Sequence, residues 1–223
     1  MCQQTQCCRL PYHREVTDYA RRERRELADL LLATGPDAPT LCTGWTTRDL
    51  AAHLVVRERR PDAMLGALIP PLAGHGEHVR AAKAAQPYAE LILEVRNPPW
   101  WSPLSNRLTD ELANGVEFFI HHEDVRRSGT DWTPRELDPG QNRALWTAVK
   151  FTARLGLRKL HLPLSVRAPG LGELTVGDAP QVTISGEPGE LALFLSGRQR
   201  AAQVTIEGPP EAAERLRTAN LGM

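Results

Sequence analysis

The chain has 223 residues with 41% hydrophobic side chains, enough for a sizeable core in one large domain or in a main domain with a smaller companion. Lys+Arg and Asp+Glu both number 27, and the formal net charge of zero excludes a protein built to coat nucleic acid or an anionic membrane. No apolar run reaches the ~18 residues of a membrane helix and the N-terminus has no secretory apolar core, so a cytoplasmic location is expected.

Residues 1–15 are polar, hold Cys2, Cys7 and Cys8, and are expected to form a disordered tail. These three cysteines and Cys42 have no second CxxC or His pair beside them, so they are the least promising place to seek metal or redox chemistry. The first helix is expected over 16–34, with an apolar face at Leu27, Leu30 and Leu31 and a stop at Gly35-Pro36. After the loop PDAPTLCTGW, Thr46 or Thr47 can cap a second helix, with Asp49 in its first turn, that runs to Pro61. A third helical region spans about 75–96 with an interruption near Gln86-Pro87, and a fourth helix covers about 109–127.

Four helices with short to medium connections suggest a four-helix bundle, followed by a Pro/Gly-rich linker and a fifth helix over 141–160. From there the period changes to short strands at 164–168, 174–176, 181–186 and 203–208, with helices at 189–197 and 210–219. The class is therefore α+β, in two units: a helical bundle over 16–140 and a small α+β unit over 141–223.

Chemistry concentrates on two helices. His53 stands between Leu50 and Leu54, near the inward face of the second helix; Glu117 and His121, four apart, share one face of the fourth, flanked by Leu112, Val116 and Ile120. Two imidazoles and a carboxylate can hold a divalent metal and leave a coordination position open. The same spacing also suits satisfied core histidines and an ordinary helix-face Glu–His hydrogen bond, although an inward Glu117 must find some partner. His122, Glu123, Asp124, Arg126 and Arg127 read as a solvated or interhelical charged stretch, one member of which could orient a ligand histidine. His75 and His78 read as surface residues, and His13 and His161 as residues without a partner.

The stretch Leu41-Cys42-Thr43-Gly44-Trp45-Thr46-Thr47-Arg48-Asp49-Leu50-Ala51-Ala52-His53-Leu54 resembles the first metal segment of the DinB-like bundles, and more narrowly of the actinobacterial mycothiol-dependent maleylpyruvate isomerase family. The segment from Asn114 to Arg127 is similar to the second, and the likeness runs from about Arg21 to the C-terminus. The resemblance implies zinc, or another divalent metal, on His53, Glu117 and His121, with mycothiol as cofactor or co-substrate. It implies a catalytic arginine from the C-terminal unit, for which Arg198 in Leu195-Ser196-Gly197-Arg198 is the candidate. That unit resembles the sterol-carrier-like α/β fold.

The implied chemistry is a zinc-held thiolate that adds to the cis double bond of a keto dicarboxylic acid, allows rotation and leaves, with Arg198 gripping a carboxylate at two points. If the thiol stays attached, the protein is instead a thiol S-transferase acting on an electrophile. A non-catalytic module binding a small apolar ligand is a further alternative. Zinc-water hydrolysis ranks lower, because Glu123 and Asp124 are expected to point about 80 to 120 degrees away from His121. The expected partners are a small thiol and a small anionic or electrophilic substrate, with neither nucleic acid nor membrane, and the protein is expected to be a monomer or homodimer.

Overall fold

The computed structural model describes residues 18–63, 73–102 and 114–222. The tail expected over 1–15, with His13 and three of the cysteines, lies outside them, as do Leu112 and the expected start of the fourth helix.

Helix α1 (Tyr19–Thr34) buries a stripe of Ala20, Glu23, Arg24, Leu27, Ala28 and Leu31, the three-four spacing of one helical face. Gly35 ends it in the left-handed region, at φ +86°, where a side chain would be strained, and its N–H returns to Leu31 O at 3.1 Å. Helix α2 (Thr47–Arg59) starts from a reciprocal capping box: the Thr46 hydroxyl accepts from Asp49 N, and Asp49 accepts from Thr46 N at 3.0 Å. The third helical region is two helices, α3 (Ala73–Ala84) and α4 (Tyr88–Arg96), and the interruption falls where Pro87 caps α4. Helix α5 (Gly115–Arg126) follows, and α1, α2, α4 and α5 enclose a core that includes Leu27, Leu31, Leu50, Leu54, Leu91 and Phe118.

Asp138 caps α6 (Pro139–Gly156) by accepting from Gly140 N and Gln141 N, both at 2.9 Å, and a 3-10 turn at Leu157–Leu160 completes the expected fifth helix. Strands β1 (Leu164–Ala168), β2 (Gly172–Val176), β3 (Val182–Ser185) and β4 (Thr205–Glu207) form a sheet of order β2-β1-β3-β4. β1 pairs antiparallel with β2 (Leu164 opposite Val176) and parallel with β3 (Leu164 opposite Val182); β4 closes the edge antiparallel to β3. Helices α7 (Pro188–Leu195) and α8 (Pro210–Thr218) complete the α+β layout. Trp146 and Val149 of α6 share the second core with Val166, Ile184, Leu191, Phe194 and Leu216. Phe119 and Ile120 of α5 meet Leu145 and Leu193 in a seam joining the two cores.

Helix α5 is thus enclosed on all sides, Phe118 through Val125 being buried. Of the two readings of the charged stretch, solvated or interhelical, the second holds for His122, Glu123, Asp124 and Arg127, each under a tenth exposed. His122 Nδ1 meets Glu23 Oε2 at 2.9 Å, and Arg135 grips Glu23 with Nη1 at 3.1 Å and Nη2 at 3.0 Å, while its Nε reaches Glu123 at 2.6 Å. Burial pushes the Glu23 carboxyl up, but the His122 and Arg135 bonds outweigh it and bring it from 4.5 down to about 2. A carboxylate whose folded value lies below its unfolded value stabilises the protein above the unfolded value, and that stability fades as the pH falls towards the folded one. The melting temperature is therefore expected to fall between pH 4.5 and 2, with Glu23 contributing up to about 3 kcal/mol of the loss. Glu23→Gln should melt lower at neutral pH and show a shallower acid slope; an unchanged slope would remove Glu23 as a source.

Candidate metal centre

His53 on α2 and Glu117 and His121 on α5 come together. The Glu117 Oε1 atom lies 3.3 Å from His53 Nε2 and 3.3 Å from His121 Nε2, and the three donor atoms all lie within 4.8 Å of one another. These separations are long for N–H···O hydrogen bonds. They match the edge of a tetrahedron with metal–ligand bonds of about 2.0–2.1 Å, which is roughly 3.3–3.4 Å. His121 is only 8% exposed, but His53 keeps 25% and Glu117 19%, so one side of the cluster faces solvent.

The Glu117 charge and the His53 ring suit a cation, and His121 would bind one by giving up its Nε2 proton. Burial pushes Glu117 up, yet its bonds to His121 and His53 and the Arg57 charge hold it well below the usual carboxylate range, so it is ionised. Burial lowers His53, and the neighbouring His121 and Arg57 charges act in the same direction, which favours the neutral ring that ligates. Burial would also lower His121, but bonds to Asp124, Cys42 and Glu117 raise it well above the usual histidine value. Asp124 Oδ2 stands 2.8 Å from His121 Nδ1, so an Nδ1–H can be donated to it while Nε2 faces Glu117.

This contact overturns the expected orientation of Asp124. A residue three along a helix lies about 60 degrees away, on the neighbouring part of the same face. Asp124 therefore backs the histidine, and its 2.8 Å contact with the ring leaves it poorly placed to act as a base on water at the opposite nitrogen. Glu123 does point away, into the Arg126, Arg127 and Arg135 guanidiniums.

Arg198, from the turn after α7, reaches the same neighbourhood. Its Nε donates to Asp124 Oδ1 at 2.9 Å and its Nη2 to Asp124 Oδ2 at 2.7 Å, with Nη2 also 3.3 Å from Cys42 Sγ and Nη1 on Ser196 O at 2.5 Å. The two-point edge expected to grip a substrate carboxylate is thus already on Asp124. Burial pushes the Asp124 carboxyl up, but Arg198 and His121 outweigh it and bring it down to about 2.

Cys42, unlike the three cysteines outside the described residues, lies in this neighbourhood, its Sγ 3.2 Å from Asp124 Oδ2. No local pattern marks it; the loop is brought there by Leu41 N on Asp124 O (3.0 Å), by Trp45 N on Cys42 O (2.9 Å) and by Gly44 at φ +79°. Sequence reasoning also missed Trp45, whose ring lies 5.1 Å from that of His53, and Arg57, whose Nε is 3.3 Å from Glu117 Oε1. Arg57 follows His53 by four, so the spacing that paired Glu117 with His121 could have found it. His75, read as a surface residue, is exposed and meets Asp62 at 2.9 Å.

Among the described residues, two other groups have metal-ligating residue types: Cys42/His121/Asp124 and Glu23/Glu26/His122. In each, a guanidinium already fills the cation position, Arg198 in the first and Arg135 in the second. At His53/Glu117/His121, Arg57 meets Glu117 Oε1 through Nε at 3.3 Å, and the same oxygen stands 3.3 Å from the Nε2 atom of each histidine. The donor set and its spacing there fit a divalent metal with three protein ligands.

No helix among the described residues is long and apolar enough to cross a membrane. Searches of curated proteins and of solved structures returned no match. Among known families, residues 18–154 match the mycothiol maleylpyruvate isomerase N-terminal domain, a segment that runs from the start of α1 into α6 and holds all three donor residues. Since this is more than half of the 223 residues, the chain belongs to the mycothiol maleylpyruvate isomerase N-terminal domain family.

Proposed function

We propose that the protein is a divalent-metal enzyme, zinc being the first candidate, that activates mycothiol and adds it to a small anionic or electrophilic substrate. Maleylpyruvate-like cis–trans isomerisation is the leading reaction. The observation that carries this reading is the convergence of His53, Glu117 and His121 at tetrahedral-edge distances with one side exposed. A divalent cation on three such ligands supplies a position at which a small thiol is held as its thiolate. The protein then needs no nucleophile of its own.

The chain's residues supply orientation and charge. Asp124 holds the His121 ring, and Trp45 lies against that of His53. Glu117 and Asp124 are balanced by Arg57 and Arg198, so a dication adds an uncompensated positive charge that attracts a thiolate and an anionic substrate. Such a thiolate, when bound, would supply reversible addition to a cis double bond conjugated with a carbonyl, so that rotation about the resulting single bond would give the trans isomer and return the thiol. Arg198 can grip a carboxylate at two points only by exchanging Asp124 for it. That engagement favours the second reading, a thiol S-transferase, in which an electrophile needs no such clamp and the leaving group departs as the carbon–sulfur bond forms.

The test is incubation of zinc-loaded protein with mycothiol and either maleylpyruvate or bromobimane. Trans product without net thiol consumption supports the isomerase, and stoichiometric conjugate supports the transferase. Zinc retained with no thiol-dependent turnover contradicts both and points to a non-catalytic binding module.

A further inference from the structure

We propose that Asp124 is a positioning residue shared by the metal centre and Arg198, tying the arm of the C-terminal unit that carries Arg198 to the ligand His121. The inference rests on the metal reading above and adds a role to a residue that is not itself a ligand. Asp124 is fully buried, and both of its oxygens are committed. Oδ1 accepts from Arg198 Nε at 2.9 Å; Oδ2 faces His121 Nδ1 at 2.8 Å, Arg198 Nη2 at 2.7 Å and Cys42 Sγ at 3.2 Å. One carboxylate therefore fixes two directions at once. It orients the His121 ring so that Nε2 faces Glu117, and it holds the guanidinium with Nη2 3.3 Å from Cys42 Sγ. The turn after α7 is held at its far end by Arg127 Nη1 on Ala201 O and by Gln199 Nε2 on Ala219 O, both at 2.6 Å, and Asp124 is what fixes the Arg198 side chain to the metal side of it. A carboxylate on the far nitrogen of a metal-bound imidazole fixes its tautomer and strengthens it as a ligand, and removing it typically lowers metal affinity 10–100-fold.

The experiment measures zinc affinity by competition with a chromogenic chelator for wild type, Asp124→Asn and Arg198→Gln, with hydrogen exchange followed at Ser196–Ala201. Asp124→Asn should bind zinc about 10–100-fold more weakly and exchange faster in that turn. Arg198→Gln should stay within about threefold of wild type in zinc affinity, because the Asp124–His121 contact survives it; that distinguishes positioning from general loss of a buried ion pair. Zinc affinity of Asp124→Asn within threefold of wild type, or an equal loss in Arg198→Gln, overturns the proposal while leaving the metal site intact. Wild type that binds no zinc overturns the site reading, and this proposal with it. If Asp124→Asn does not fold, zinc-loaded wild type still decides: a protected His121 Nδ1 proton in the magnetic resonance spectrum supports the proposal, and an unprotected one overturns it.

Discussion

Arg127→Met is expected to cost about 3–5 kcal/mol of stability, a fall of roughly 6–20 °C in melting temperature. The guanidinium is buried at the end of α5. It donates through Nε to Glu123 (2.5 Å) and through Nη2 and Nη1 to Glu190 (2.6 and 2.9 Å), and Nη1 also reaches Ala201 O (2.6 Å). Its flat face lies 4.4 Å from the centre of the Trp132 ring. Without it, Glu123 still has Arg126 and Arg135, but buried Glu190 keeps only Gln203 N, at 2.7 Å. The cost thus comes mainly from stranding Glu190, and Arg127→Met/Glu190→Gln should recover a large part of it. Thermal melts of the two single variants and the double variant measure this. Equal melting of Arg127→Met and wild type would mean that the network between bundle and sheet contributes nothing net.

Glu117→Gln carries the second large effect. Its size and shape hardly change, but an amide oxygen is a much poorer ligand than a carboxylate, and Arg57 loses its charge partner. Zinc affinity is expected to fall by more than the 10–100-fold associated with residues that merely orient a ligand. Chelator competition reads it directly, and a loss smaller than that of Asp124→Asn would reverse the roles assigned to the two carboxylates.

Much of the architecture was legible because it is local. The Thr46/Asp49 capping box, Gly35 and Pro87 sit at real helix boundaries, and β1 falls on the alternating run at 164–168. His53, Glu117 and His121 were legible because inward face and four-residue spacing follow from helical geometry. The charged end of α5 was not. A run such as His122-Glu123-Asp124 reads equally as solvated or interhelical until the tertiary fold brings Glu23, Arg135, Glu190 and Arg198 to it from other segments. Cys42 is the same case in a loop: its neighbours Asp124 and Arg198 lie 82 and 156 residues away in sequence.

The central claim, that His53, Glu117 and His121 form one metal site, is tested most directly by native mass spectrometry of protein purified with zinc present and then desalted, wild type beside His53→Ala. One zinc per chain in wild type and none in a folded His53→Ala is the predicted result. Stoichiometric zinc retained by His53→Ala would contradict it.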